Sequence, residues 1–238
     1  MRGYRLLGAL AAVLMCTEAH AAKVAVETGA RLLPATACLV GTYDAEGRPD
    51  AAIIDRVGIA ETPSKERMIF YVAVNPKRQT AKNIEATGAF TVNVMNAALV
   101  PQGDFCGTVS AASGDEYFDK FSVTGLKLEK GSDVNAPILT ECPVTLECKL
   151  VKTLEFPDGQ HRVFLGEVAS YHVAAEALDG DKTAPVRQFD PQKSGMVVYF
   201  AGSAERSGYY ALGAPLGSGM SAEKFPWPNG LEPKPAGH

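Results

Sequence analysis

Alternating apolar and polar side chains mark most of the chain as β-structure. Six stretches rich in β-branched and aromatic residues are each bounded by turn formers such as Gly, Pro, Asn and Asp, which is the pattern of half-buried strands. The alternation is clearest in 89–94 (Ala-Phe-Thr-Val-Asn-Val) and predicts one buried and one exposed face there. The predicted strands cover residues 36–43, 51–59, 67–74, 89–94, 144–153 and 162–173.

Turn signals join these strands into hairpins, and helix signals are few. Turn residues fill 44–50 and 156–159, so each is expected to close a hairpin. Short helices are predicted over 80–88, with Thr80 as N-cap and Gly88 as the closing residue, and over 97–105 and 115–121. Because closing a sheet removes its exposed edges, this mainly β pattern predicts a β-barrel with a few short helices.

The first 21 residues have the pattern of an export signal. Arg2 and Arg5 precede an unbroken apolar run over 6–15, which is too short to span a bilayer core. The run is followed by Ala19-His20-Ala21, a small-x-small cleavage site. We expect a signal peptide over 1–21, a single mature domain over 22–238 that is loop-rich from about 174, and a periplasmic or secreted location. A buried N-terminal helix is the alternative.

Charge and motif content exclude several classes of function. The chain has 23 Lys and Arg against 27 Asp and Glu, a net charge of −4, without basic runs. This balance argues against nucleic acid or, once the signal is cleaved, a membrane as partner. The sequence contains no Gly-x-Gly-x-x-Gly, no Walker loop, no nucleophile elbow and no His or Cys at metal-ligand spacing, so we expect no metal site.

Four cysteines remain beyond the predicted cleavage site: Cys38, Cys106, Cys142 and Cys148. Oxidising conditions outside the cytoplasm would allow Cys142 and Cys148 to pair. The alternative is that all four are buried free thiols that pack as small apolar residues.

One segment has the chemistry of a phosphate site. Residues 78–84 (Arg-Gln-Thr-Ala-Lys-Asn-Ile) follow a predicted strand and open a predicted helix. A helix N-terminus offers free N–H groups and a favourable dipole, and a guanidinium binds phosphate in a fork. Taken alone, the segment is better explained by Thr80 as an ordinary N-cap and Arg78 as a solvated charge.

Four motifs follow one another in order along the chain. They are Arg78-x-Thr80-x-x-Asn83, Cys106-Gly107-x-x-Ser110 running into Asp119-Lys120-Phe121, Glu147-Cys148, and Gly159-x-His161. Each motif is weak alone, but the ordered set resembles the flavin reductase-like FMN-binding split barrels, in particular the flavoredoxin branch. The resemblance covers nearly the whole mature chain.

The resemblance implies a split β-barrel that holds FMN non-covalently, forms a homodimer and acts as an oxidoreductase. It places the phosphate on Arg78, Gln79, Thr80 and Asn83 with support from Lys120, and the ring system against Ile54, Asp55, Arg56, Val57, Cys106 and Ser110. His161 becomes the candidate catalytic residue. Two activities stay open: an NAD(P)H-dependent flavin reductase, and an electron carrier served by a redox protein partner. A module that only sequesters flavin is a third.

Two departures from the family pattern bear on this assignment. Three residues, Ala111, Ala112 and Ser113, separate Ser110 from Gly114, whereas the family usually has Ser and Gly close together. Asp55 and Arg56 stand where the family carries Ser, Thr or Trp. The pair has two interpretations, a surface ion pair at a strand end or a contact from Arg56 to the flavin or its phosphate.

Overall fold

A computed structural model describes residues 23–113, 116–157, 159–180, 188–202 and 205–215. The predicted signal peptide over 1–21 lies outside these residues. Of the described residues, 23–30 belong to one compact unit, in which Ala30 N–H donates to Glu27 C=O at 3.0 Å, and those from Arg31 onward belong to the other. No helix in the described ranges is long and apolar enough to cross a membrane.

Strands outnumber helices in the described residues. The helices are α1 (Gln79–Thr87), α2 (Val100–Thr108) and α3 (Lys120–Thr124), with 3-10 turns at Ala97–Leu99 and Ala175–Ala177. The strands are β1 (Ala35–Thr36), β2 (Cys38–Tyr43), β3 (Pro49–Ile54), β4 (Val57–Ser64), β5 (Arg67–Val74), β6 (Ala89–Val94), β7 (Ala112–Ser113), β8 (Glu116–Tyr117), β9 (Leu128–Lys130), β10 (Pro137–Leu139), β11 (Val144–Glu155), β12 (Arg162–Val173), β13 (Val197–Phe200) and β14 (Gly208–Ala211).

Seven antiparallel strands form the main sheet, in the order β3-β2-β6-β11-β12-β5-β4. Its two edge strands, β3 and β4, are joined along the chain by only Asp55 and Arg56. Two residues cannot span a flat seven-stranded sheet, so the sheet must curve until its edges meet. At this junction Ala73 N–H of β5 donates to Arg56 C=O at 2.8 Å. We call Asp55 and Arg56 the seam. The predicted β-barrel with a few short helices is confirmed.

The barrel interior is an apolar cluster that α1 closes at one end. Phe90, Phe164 and Ile84 are fully buried in it, and Ile84 is contributed by α1. A second cluster lies where α2 and α3 pack outside the barrel, around Leu39 and Met95. The smaller sheet β1-β13-β14 contacts this cluster through Val197 of β13, which is buried in it.

Strand β6 corrects the expectation of one exposed face, because all six of its residues are buried. Its polar side chains face β10 and not solvent. Thr91 Oγ1 donates to Pro137 C=O at 2.5 Å, and Asn93 Oδ1 accepts from Leu139 N–H at 3.0 Å. The polar positions of β6 therefore mark a face that is hydrogen-bonded to β10, and not a face exposed to solvent.

Several predicted ends of strands and helices agree with the structure, and others do not. β5, β6 and β12 have the predicted bounds, and both hairpins form. The predicted strand 51–59 is wrong as one element because the seam divides it into β3 and β4. The predicted helix 115–121 is also wrong: Glu116–Tyr117 is a strand, and α3 begins only at Lys120 after the N-cap Asp119. All four described cysteines are free and buried, so the disulfide does not form and the free-thiol alternative is the correct one.

A buried carboxylate fixes the loop before β10. Glu147 on β11 is fully buried and accepts from Asp133 N–H at 2.8 Å, Val134 N–H at 3.1 Å and Ser132 Oγ at 2.9 Å. His172 Nε2 on β12 lies 2.7 Å from the same carboxylate. Burial alone would raise the pKa of Glu147, but these partners together hold the pKa below its ordinary value.

We expect Glu147→Gln to lower the free energy of unfolding at neutral pH by about 2 kcal/mol, the contribution of hydrogen bonds to a charged group. Because the folded pKa is depressed, the stabilisation is present above the ordinary value of 4.5 and is lost as pH falls through the lower folded pKa. Urea unfolding along an acid series checks this. The exposed, unpaired Glu129→Gln serves as control, and equal stability of both variants at neutral pH would contradict the assignment.

Candidate functional site

A cavity opens where the N-terminal end of α1 meets the end of β3 and the C-terminal end of α2. We call it the helix-end cavity. Its walls bring together residues that are widely separated in sequence, and half of them are among the predicted cofactor ligands. The predicted residues that line it are Ile54, Arg78, Gln79, Thr80, Cys106, Ser110 and Lys120.

The first turn of α1 presents an open helix N-terminus to this cavity. The predicted N-cap, Thr80, is wrong: α1 begins at Gln79, and its N-cap is Arg78, whose side chain makes no capping bond. The first turn contains no acidic residue. Gln79 and Thr80 of this turn line the cavity, so the positive end of the helix dipole lies at its wall, while Ala81 N–H already donates to Arg78 C=O at 3.1 Å. Gly88, in the left-handed region at φ 67°, ends the helix as predicted.

The polar side chains of α1 are held in place by β2 and β3. Asn83 Nδ2 donates to Thr42 Oγ1 at 3.0 Å, and Gln79 Nε2 donates to Asn83 Oδ1 at 2.7 Å. Thr80 Oγ1 lies 3.5 Å from Asp50 Oδ2. Asn83 thus lies beneath the helix end and faces a neighbouring polar space lined also by Arg48 and Tyr117. Its amide orients Gln79 and is not itself exposed to the helix-end cavity.

A buried ion pair forms the floor of the cavity. Lys120 Nζ lies 2.8 Å from Asp50 Oδ1 and donates to Ala51 C=O at 2.8 Å and Cys106 C=O at 3.2 Å. Both charged side chains are almost fully buried. The ammonium is therefore committed to protein oxygens, and it tethers the end of α2 to β3. This is a different role from the direct phosphate support expected for Lys120.

Close packing of α2 on β3 shapes the opposite wall. A Cβ at Gly107 would lie 2.2 Å from Ile53 Cγ2, so only glycine allows this approach. The preceding Cys106 is buried, and burial raises the pKa of its thiol to about 11, with Lys120 acting in the opposite direction. Cys106 is an inert apolar wall residue at neutral pH.

A second cavity of about 370 Å³ adjoins the first at the seam and shares Ile53, Arg78 and Gly107 with it. We call it the seam cavity. The seam residues line it, and their geometry agrees with the first interpretation, an ion pair at a strand end, while a contact from Arg56 to flavin stays a prediction. Arg56 Nη1 lies 3.2 Å from Asp55 Oδ1, and Arg31 Nη1 lies 2.5 Å from Asp55 Oδ2. The pair is an ion pair at a strand end, and it also faces a cavity.

Two predicted residues lie beside these cavities. His161 precedes β12, close enough to the seam for its charges to act on the imidazole. Burial lowers the pKa of His161, Arg56 and Arg31 lower it further, and Asp55 opposes them. Val57, the first residue of β4, packs against the barrel core near Ile54. It therefore supports the cavity wall from behind.

Sequence reasoning missed several wall residues. Arg31 and Asp104 line the seam cavity, as do Tyr199 of β13 and Tyr209 of β14. The Tyr209 hydroxyl donates to Asp104 Oδ1 at 3.0 Å, which attaches the small sheet to α2. The loop-rich tail that contains Tyr199 and Tyr209 is expected to wrap the barrel, but no motif identifies these two residues as part of a cavity wall. Asp50, on the cavity floor, was noted only as a turn residue.

The fold and the chain's relatives agree with this architecture. Flavoredoxin of Desulfovibrio vulgaris (Miyazaki F) is 30% identical, with a TM-score of 0.69 over 84% of this chain and 100% of that one. Flavoredoxin from Methanosarcina acetivorans, 23% identical, shares the fold with a TM-score of 0.70 over 86% of this chain and 98% of that one. The structure is a flavin reductase-like split barrel.

The curated protein described next aligns with only part of this chain and with only part of its own length. An uncharacterised protein of Aeropyrum pernix is 31% identical over 112 residues, which is 47% of this chain and 41% of that protein. The chain thus spans less than half of that relative's length. The profile of the flavin reductase like domain matches residues 30–205, most of the described chain. The chain therefore belongs to the flavin reductase like domain family.

Proposed function

We propose that the protein holds FMN with its phosphate in the helix-end cavity and its ring extending into the adjoining seam cavity, and that it acts as an oxidoreductase. The observation that carries this proposal is the open N-terminus of α1, which faces the same cavity as Arg78 and the Cys106–Ser110 segment. The membership of the chain in a flavin reductase-like family supports a flavin as the ligand. The phosphate chemistry of the cavity supports FMN as the form of flavin.

The donors at the helix end fit one phosphate group. Gln79 and Thr80 of the first turn of α1 line the cavity, no side chain caps this turn, and a helix N-terminus favours an anion. Arg78 is exposed, and no carboxylate in the described ranges pairs with it. Its guanidinium is thus available for a forked bond to phosphate. Gln79 and Thr80 border the same space, and Asn83 fixes Gln79 from below.

The ring system would lie along the end of β3. Ile54 supplies an apolar wall there, Cys106 and Ser110 face it across the cavity, and Val57 supports it from the core. Asp55 and Arg56 stand at the far end, where the helix-end cavity passes into the seam cavity. Bound flavin supplies hydride and electron transfer, and the protein supplies position and electrostatics. The seam is where this chain's charges would act on the ring.

Two activities remain distinguishable within this proposal. An NAD(P)H-dependent reductase would bleach its flavin when mixed anaerobically with NADH, whereas a carrier served by a redox protein would keep the oxidised spectrum. Nicotinamide nucleotides are scarce outside the cytoplasm, so the expected export favours the carrier. A homodimer, as in the family that the sequence resembles, is part of the same proposal.

We also propose that the protein is exported. The support is the sequence pattern over 1–21, two arginines, an apolar run and Ala19-His20-Ala21. Protein recovered from the periplasm should have the intact mass of a chain that starts at Ala22. A cytoplasmic species that retains Met1 would contradict export and leave the flavin proposal standing.

Arg78→Ala should weaken FMN by about 10- to 150-fold, because a charge-assisted hydrogen bond contributes about 1.5–3 kcal/mol. Riboflavin lacks the phosphate, so it should bind weakly and almost equally to both proteins. Fluorescence quenching titrations of both flavins measure the difference.

The neighbouring Lys77→Ala is the matched control for this experiment. Lys77 is an exposed cation one residue earlier in the chain, outside the lining of the helix-end cavity. It should leave FMN affinity unchanged within about twofold, since an exposed charge at a distance is screened. Equal weakening of FMN and riboflavin by Arg78→Ala would remove Arg78 from the phosphate site.

His161→Ala should slow reduction of the bound flavin by about tenfold, equivalent to roughly 1.4 kcal/mol, and should leave FMN affinity almost unchanged. The reason is that a neutral imidazole beside the seam can hold a reductant's polar groups or stabilise reduced flavin. Anaerobic stopped-flow reduction by dithionite measures the rate, with His172→Ala as the control on the opposite end of β12. An unchanged rate would make His161 a structural residue.

A further inference from the structure

The small sheet β1-β13-β14 carries different residues on its two faces. Tyr199 and Tyr209 pair across β13 and β14 and line the seam cavity. Successive side chains of a strand point to opposite faces, so the next cross-strand pair, Val198 and Tyr210, lies on the other face, and Phe200 follows it there. We call this the outer face. It lines neither of the two cavities proposed for the cofactor.

A groove of about 410 Å³ crosses the outer face. The rings of Phe200 and Tyr210 meet edge to face in it, with centroids 6.2 Å apart and ring planes at 90°. Tyr210 remains 48% exposed, and Leu212, two residues further along the chain, is 41% exposed. An aromatic groove left open on a protein surface is typical of a site where another segment docks. The residues that line the groove are Pro34, Val198, Phe200, Arg206 and Tyr210.

One cation borders this groove. Arg206 is exposed, and none of the carboxylates in the described ranges forms an ion pair with it. The Tyr210 hydroxyl donates to Arg206 C=O at 2.9 Å, which holds the turn that carries Arg206 beside the aromatic ring. Its guanidinium is therefore placed to stack on an incoming aromatic ring or to pair with an incoming carboxylate.

The chain itself supplies a segment with matching chemistry. Residues 225–228 read Phe-Pro-Trp-Pro, and Glu223 precedes them by two positions. The last described residue, Pro215, comes four positions after Ala211, the end of β14. The residues between Pro215 and Phe225 can span up to about 30 Å when extended, so this segment can reach the groove from the strand that borders it.

Proline lowers the cost of such docking. It fixes its own φ, and it confines the preceding residue to extended conformations. In 225–228 every residue is a proline or precedes one, so ordering the segment on a surface costs little conformational entropy. Aromatic-lined grooves bind Pro-rich segments for this reason in several recognition domains. Tethering helps further, because a segment of the same chain is present at an effective concentration in the millimolar range.

We propose that the outer face of the small sheet is the docking site of the chain's own 225–228 segment. The prolines and the indole of Trp227 pack on Phe200 and Tyr210, and Arg206 pairs with Glu223. The docked segment then holds the small sheet in place, and with it the wall that the opposite face gives to the seam cavity. Docking at this groove is independent of FMN, because the groove shares no lining residue with either cavity.

Fluorescence of the full-length protein reports on this segment alone, because Trp227 is the only tryptophan of the sequence. We expect emission at shorter wavelength than that of a synthetic 221–232 peptide, and about tenfold weaker quenching by acrylamide. The reason is that a segment with a Kd of about 0.1 mM, at an effective concentration of about 1 mM, is docked about 90% of the time. Emission and quenching equal to those of the peptide would overturn the proposal.

Variants on both sides assign the signal to this groove. Tyr210→Ala changes the groove, and the double variant Pro226→Ala, Pro228→Ala changes the segment without touching the sheet. Both should move emission and quenching toward those of the peptide. Tyr171→Ala is the matched control, because Tyr171 is a tyrosine of similar exposure, 57%, in a different groove on β12. A buried tryptophan signal that neither variant changes would overturn the assignment to the outer face.

Dilution separates docking within one chain from docking between two copies. The signal of a segment docked on its own chain is independent of protein concentration, so loss of the short-wavelength emission on dilution would overturn the proposal in favour of a second copy. All spectra are compared at equal flavin content, because flavin quenches tryptophan. If the protein bound no FMN, the cofactor assignment would fall and the tryptophan measurements would still decide the docking site.

Discussion

The two-residue link between β3 and β4 is the constraint on which the rest of this structure depends. These strands are the opposite edges of a seven-stranded sheet, and only Asp55 and Arg56 connect them. The sheet can satisfy that connection only by curving into a barrel. Curvature then encloses the apolar cluster around Phe90 and Phe164, and it brings the end of β3 beside α1. Both cavities lie at this junction, so the residues of the site come together only when the barrel is closed.

Much of the fold could be read from the sequence because local signals and the final packing agree. β5, β6 and β12 are bounded by strong turn formers, and their predicted bounds are the observed ones. The predictions differ from the structure where tertiary contacts determine burial or the ends of a strand. Thr91 and Asn93 look solvent-facing by alternation, yet β10 satisfies their hydrogen bonds and buries them. The division of 51–59 at the seam follows from closure of the whole sheet, which no short window of sequence contains.

The residues of the candidate site likewise fall into those that the sequence predicted and those that depend on tertiary contacts. Arg78, Gln79 and Thr80 are neighbours in one motif, so the sequence alone predicted that they act together, and they line one cavity. Lys120 was identified by the same motif logic, but its role was not: a partner thirty or more residues away cannot be inferred from spacing, and Asp50 is seventy positions earlier. The sequence did not identify Tyr199 and Tyr209 as cavity residues for a simpler reason. Their contact with the barrel depends on how a small separate sheet docks, through Val197 N–H to Met95 C=O at 3.2 Å, packing on the second apolar cluster, and the Tyr209 hydroxyl bond to Asp104.

The shortness of the seam also restricts how this chain can diverge over time. Successive side chains of a strand point to opposite faces, so one inserted residue between Ile54 and Val57 that shifted β4 against β5 would turn Val57, the β4 residue that packs on the core, outward. The charges of the seam would move with it. Length variation should therefore accumulate in the hairpin turns, such as the exposed loop at Glu46 and Gly47, while the seam keeps its length and changes only in residue type. Sequence drift at Asp55 and Arg56 can then alter ligand preference without disturbing the architecture.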